Sequence, residues 1–152
     1  LDFILGYMLP LLPLAVAQSV ICYLFAIPLG LTVSVKIIYA IIGIIPMAVF
    51  NIALGILCGS IFGVKQVGGI CGALLTNISA WLSGVWFDLK LAGSFFEKAA
   101  NVLPFVHAAE AEKALFSGDF SLARSHILPV TLYSIFITVS AVFCFLRQMK
   151  KQ

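Results

Sequence analysis

The sequence predicts an all-α integral membrane protein, with four transmembrane helices and an extracytoplasmic re-entrant helical hairpin between the third and fourth. Three observations carry this. Of 152 residues, 62% are hydrophobic and only 10% charged, with a mean hydropathy of +1.16, which lies outside the range of soluble domains. Charge-free runs cover residues 3–35, 37–64, 66–87 and 127–146, each meeting the roughly 20 residues needed to cross about 30 Å of hydrocarbon. Residues 88–125 hold five of the six acids and four of the nine bases, so one extended region near water separates two apolar runs. Continuous runs of Leu, Ile, Ala and Gly, in place of alternation over about 10 residues, exclude an outer-membrane barrel.

Composition narrows the function classes as well. A net charge of +3 from scattered bases offers neither a nucleic-acid surface nor a polybasic lipid patch. Cys22, Cys58, Cys71 and Cys144 sit inside apolar runs without C-x-x-C spacing and read as small buried hydrophobes. The pattern of basic n-region, short h-region and small-residue cleavage site does not open the sequence, and the start at Leu1 without methionine is expected to be the edge of a longer sequence.

The first span is placed at about residues 3–29, where Pro10, Pro13 and Pro28 remove backbone donors and favour kinks. Gln18 lies near its middle, an amide that must find a partner helix or a wet cavity. The second span, about 37–62, contains Pro46. In it Asn51, Gly55, Gly59 and Gly63 recur every four residues, a small-residue stripe that predicts a close helix contact within the chain or between two copies. The glycine-rich segment from Gly63 to Gly69 reads as a tight turn.

The third span is placed at about 69–87. Thr76, Ser79 and Ser83 form a polar stripe, and Asn77 borders it beside a face of small residues. Such a stripe either lines a translocation path or bonds to neighbouring helices. The hairpin, about 88–120, opens with Ser94-Phe95-Phe96-Glu97, which fits a capping box, and Pro104 stops its first helix by residue 103. A second short helix, about 105–116, ends at Ser117-Gly118. The last span, about 122–146, carries Thr131, Ser134, Thr138 and Ala141 on a face expected to pack tightly. The basic end Arg147-Gln148-Met149-Lys150-Lys151-Gln152 favours the cytoplasm, which with four spans puts both ends there.

His107 and Glu110 form an H-x-x-E pair, with Glu97 and His126 in the same outer region. No third ligand stands at a metal-binding spacing, so these residues read as interface anchors and no metal or catalytic residue is assigned. No G-x-x-x-x-G-K-[ST], H-E-x-x-H or G-x-S-x-G sequence occurs. Trp81, Trp86, Phe87, Phe95, Phe96 and Phe105 read as an aromatic belt at the membrane–water interface.

The run Ser83-Gly84-Val85-Trp86-Phe87, then about fifteen residues, then Leu103-Pro104-Phe105-Val106-His107-Ala108-Ala109-Glu110-Ala111, resembles the C-terminal half of permease subunits of ABC-2 type transporters. In that family a serine-glycine and aromatic helix end leads into a re-entrant pair of short helices, a leucine-proline break and an acidic helix before the last span. The resemblance implies that the four spans correspond to the family's third to sixth. It implies an exporter subunit in the cell membrane, the inner membrane in bacteria, paired with a second permease copy. A separate ATP-binding cassette subunit would bind ATP, leaving this chain without a cofactor. By position it points to Thr76, Asn77, Ser79, Ser83 and Gln18 as the translocation path, and to the turn at Lys65 as a minor cytoplasmic contact. One departure is Asp88, where the family usually has proline after the aromatic. Two other classes remain open on the residues alone: a secondary transporter or channel piece with broken helices, and an intramembrane enzyme built on His107, Glu110 and His126.

Overall fold

A computed structural model describes residues 2–150. Leu1, and Lys151 and Gln152 of the basic end, lie outside the described residues. The described residues form helices and connecting turns, with no strand among them. In chain order the helices are α1 (Asp2–Ala26), α2 (Lys36–Gly43), α3 (Ile45–Ile61) and α4 (Val64–Gly69). A π-helical segment (Ile70–Leu75), α5 (Thr76–Leu82) and a 3₁₀ turn (Leu89–Ala92) follow, and then α6 (Ser94–Val102), α7 (Pro104–Ser117) and α8 (Phe120–Met149).

Three stretches among the described residues are helical, long and apolar enough to cross a membrane: Gly6–Ala26, Lys36–Ile61 and Phe120–Met149. The second carries its interruption at Ile44, because Pro46 cannot donate to the carbonyl one turn earlier. Helical bonds from Ile44 N to Ala40 O (3.1 Å) and from Ala48 N to Ile44 O (2.9 Å) keep the axis continuous across the break. The remaining apolar run is divided. There α4, the π segment and α5 succeed one another, and Thr76 Oγ1 donates to the Cys71 carbonyl five residues back (3.1 Å), so no single regular helix fills it.

The core is the seam between α3 and α8, onto which α7 is laid from the side. Ala53 has no exposed surface and Ala141 is 1% exposed, and Phe50, Cys58, Val130 and Ser134 are buried along the same seam. The face expected to pack tightly on the last helix does so through Ser134 and Ala141. Around the outside, large apolar side chains such as Phe25, Leu128, Leu132, Phe136 and Phe143 are exposed, as lipid-facing positions are.

Several local expectations are corrected. The predicted turn from Gly63 to Gly69 is mostly helix, because Gln66 Oε1 accepts from the Gly63 amide (3.2 Å) and starts α4 immediately after the extended residues Phe62 and Gly63. The third apolar helix therefore starts earlier than residue 69 and ends at Leu82, short of 87. Gly84 ends it by adopting φ +70°, a region open to glycine. Ser94 caps nothing. Gly93 holds the cap position at φ +100°, the Glu97 amide donates to its carbonyl (3.1 Å), and Ser94 is already inside α6. At Gly55 and Gly59 an added methyl group would meet nothing within 4 Å, so of the two contacts the stripe allows, within the chain or between two copies, the tight one is not made within the chain. The close contact of α3 falls instead on the face of Phe50 and Ala53, where α8 has small residues to match. Phe105 belongs to the core, not to an interfacial belt.

Asp88 resolves its own anomaly. It sits at φ −67°, the value proline imposes, and its Oδ1 accepts from the Lys90 amide (3.0 Å), so a carboxylate cap holds the bend that the expected ring would fix.

Candidate functional site

The site is assembled by docking α7 against α2, α5 and α8 and, through Phe105, against Phe50 of α3, with specific fastenings at several of these contacts. At Gly43 the backbone of α2 comes so close to α7 that an added Cβ would overlap Leu115 Cδ1 and stand 3.4 Å from Glu112 Oε1. Lys36 Nζ donates to the Ser117 carbonyl (2.9 Å) where α7 ends, a cation placed on the negative end of a helix. Phe105 meets Phe50 edge-on with ring centres 5.8 Å apart, and Tyr133 Oη on α8 donates to the Val102 carbonyl (2.7 Å) at the end of α6.

The two histidines meet across α7 and α8. His107 Nδ1 lies 2.9 Å from His126 Nδ1, and His107 Nε2 lies 2.9 Å from the Asn101 carbonyl. A carbonyl only accepts, so Nε2 of His107 carries hydrogen and the two Nδ1 atoms share one proton between them. Glu110 is engaged elsewhere, with Lys113 Nζ at 2.7 Å, and Glu97 joins neither histidine. Among the described residues no three His, Cys, Asp or Glu side chains gather as a metal site.

The polar stripe of α5 links three cavities. Thr76 and Ser79 line a groove of about 360 Å³ shared with Asn51 and Gly55 on α3. Ser79 and Ser83 line a chamber of about 310 Å³ bounded by Met47, Phe105, Ile127 and Val130. Ser83 also borders a cleft of about 610 Å³ under the hairpin, lined by Asp88, Lys90, Glu97, Glu110 and Lys113. The wall thus passes from small and polar, through apolar, to charged. The hydroxyls of Ser79 and Ser83 donate to the carbonyls of Leu75 (2.6 Å) and Ala80 (2.7 Å), and Ser83 Oγ also accepts from the Val85 amide (3.3 Å). Asn77 borders none of the three and its amide donates to the Ala73 carbonyl (2.7 Å). Gln18 stands in a separate groove between α1 and α3, together with Tyr23 and Asn51. Lys65 is exposed in the first turn of α4.

One residue of the chamber stands out chemically. Glu112 Oε2 accepts from Tyr23 Oη (3.1 Å), while Oε1 is buried with no hydrogen-bond partner. Burial raises its pKa to about 7, and the bond from Tyr23 offsets part of that rise. Because the folded state holds the proton more tightly than an unfolded chain, this group's stabilisation is full below the ordinary carboxylate range. It is lost as pH rises toward and through 7. Thermal unfolding in detergent should therefore show a lower midpoint at pH 8.5 than at pH 5.5, and Glu112→Gln should flatten the difference. An unchanged pH dependence in the variant would assign it to other groups.

Residue spacing singles out His107 and Glu110, not Glu112. The signal was present: Glu112 falls at i+4 from Ala108 and i−3 from Leu115, on the stripe of α7 that packs inward. A lone acid in that stripe has no sequence-local base, whereas Glu110 has Lys113 three residues on.

Helices that leave large apolar faces exposed, with a polar-to-charged series of cavities between them, define a multi-pass membrane protein of the transport class. The chain belongs to the ABC-2 type transporter family, whose model matches residues 1–116. Members of that family are membrane permease components of ABC transporters that work with an ATP-binding subunit. No curated protein and no solved structure matches the chain.

Proposed function

We propose that this chain is the membrane-spanning permease subunit of an ABC-2 type exporter, forming the translocation path and driven by a separate ATPase subunit. In this reading α1, α2 with α3, the broken run from α4 to α5, and α8 are four spans that correspond to the family's third to sixth. The short helices α6 and α7 form an extracytoplasmic re-entrant hairpin that closes the exit. Both ends face the cytoplasm of a cell membrane, with the turn at Lys65 as a minor contact for the ATPase. A second permease copy completes the path, and Gly59, where an added methyl group would meet nothing within 4 Å, lies on the part of the small-residue stripe available to a neighbouring helix.

The observation that carries the proposal is the series of cavities along Thr76, Ser79 and Ser83, in a chain of this family. The stripe offers successive polar footholds at the end of the broken run from α4 to α5, and the hairpin stands at its charged end. Co-purification with a cassette ATPase, followed by transport in proteoliposomes, is the test. ATP with the intact ATPase should support flux, and an ATPase variant lacking its catalytic glutamate should not. Flux that follows an ion gradient and ignores ATP would instead establish a secondary transporter.

A further inference from the structure

We propose that His107 of α7 and His126 of α8 are paired ligands for one transition-metal dication of the Cu²⁺ or Ni²⁺ class, held through the two Nδ1 atoms with water completing its shell. The two nitrogens stand 2.9 Å apart. Metal–imidazole bonds of about 2.0–2.1 Å meeting at a right angle put their nitrogens about 2.9 Å apart, whereas a tetrahedral angle spreads them to about 3.3 Å. The spacing therefore fits neighbouring positions of a square-planar or tetragonal shell, the geometry of Cu²⁺ and Ni²⁺ with nitrogen and oxygen ligands.

A second observation concerns the far side of the His107 ring. Its Nε2 lies 2.9 Å from the Asn101 carbonyl, so the hydrogen sits there and the Nδ1 lone pair is turned toward His126. Metal-ligating histidines are held in this way, the other ring nitrogen donating to a carbonyl or carboxylate that fixes tautomer and orientation. When the ion enters, the proton between the rings moves to Nε2 of His126, so a neutral pair takes up the metal with no proton released and no change of oxidation state. Glu110 is close enough to His126 for its negative charge to act on the ring, and a dication there gains from the same field. Both rings are only half-buried, which leaves an ion a route in. An ion so held ties α7 to α8 across nineteen residues of sequence.

The test is binding without ATP and without a partner subunit, so it stands or falls separately from the transport reading. Radiolabelled Ni²⁺ is equilibrated with the full chain in phosphatidylcholine nanodiscs, chain and scaffold protein both lacking a histidine tag, with empty nanodiscs subtracted. The pH is about 7.5, where imidazole of ordinary pKa is mostly neutral. One Ni²⁺ per chain should bind and should resist a large excess of Mg²⁺, which prefers oxygen ligands. His107→Phe and His126→Phe, rings of similar shape that cannot ligate, should each weaken binding at least about tenfold, the least that losing even an outer-shell partner costs many metal sites. The Cu²⁺ complex of the wild type, with exposed thiols such as Cys22 alkylated first, should show electron paramagnetic resonance couplings to two like nitrogens. This last measurement needs no variant and decides the matter if either substitution prevents folding. Absence of bound nickel at millimolar free metal overturns the proposal and leaves a histidine–histidine hydrogen bond only. So do displacement by Mg²⁺, affinity unchanged in either folded variant, or couplings to fewer than two nitrogens.

Discussion

Ala53→Leu should lower the thermal midpoint in detergent by roughly 10 °C, the equivalent of about 3 kcal/mol for a chain of this size. Ala53 is fully buried, and three added carbons would have to fit between α3 and α8 beside Ile137 and Met8. The two helix backbones are held by a long run of packed side chains, so neither can retreat locally. Association of helices in lipid depends on such close packing, because the surrounding acyl chains are as apolar as the side chains themselves. Gly59→Leu is the control. Its new side chain would project where nothing lies within 4 Å, and the change should alter intrachain stability by less than about 0.5 kcal/mol. With Cys22, Cys71 and Cys144 replaced by serine or alanine, a thiol-reactive dye reporting on buried Cys58 would follow both unfolding transitions. If Gly59→Leu proved as damaging as Ala53→Leu, the glycine face would be an intrachain contact after all.

Phe105→Ala should cost more, about 3–5 kcal/mol, because it removes a buried aromatic ring and merges the vacated space with the chamber behind it. Phe105 is 8% exposed, meets Phe50 edge-on, and follows Pro104, the residue that starts α7. The ring therefore fixes where the hairpin returns to the core. Phe105→Leu should retain most of the packing and cost under about 1.5 kcal/mol. Equal losses for alanine and leucine would mean that the aromatic ring itself, not the volume, holds α7 in place.

Much of the architecture is legible in the residues. The apolar runs, Pro104 after an extended Leu103, and Gly118 at the end of α7 each dictate a local outcome that tertiary contacts do not reverse. Other readings fail where two local solutions compete. Ser94 and Glu97 have capping chemistry, yet Gly93 can adopt a backbone conformation closed to serine, and the turn out of Leu89–Ala92 requires it. Gly55 and Gly59 have the spacing of a packing stripe, yet α8 brings Ser134 and Ala141 to the opposite face of α3. Small residues permit a close approach; they do not select the partner that makes it.

Residue chemistry and period alone established a membrane-embedded helical chain, the place of its one charged excursion and the polar stripe at Thr76, Ser79 and Ser83. These follow from transfer free energy and helical repeat, which act over a few turns of chain. The tertiary structure alone decided which helix faces meet, that His107 lies against His126 and not beside Glu110, and that Glu112 is the acid left alone. Such pairings depend on contacts between residues as distant as Tyr23 and Glu112, set by how α7 settles over Gly43. No local pattern encodes that closure, because its driving force is the packing of whole helices.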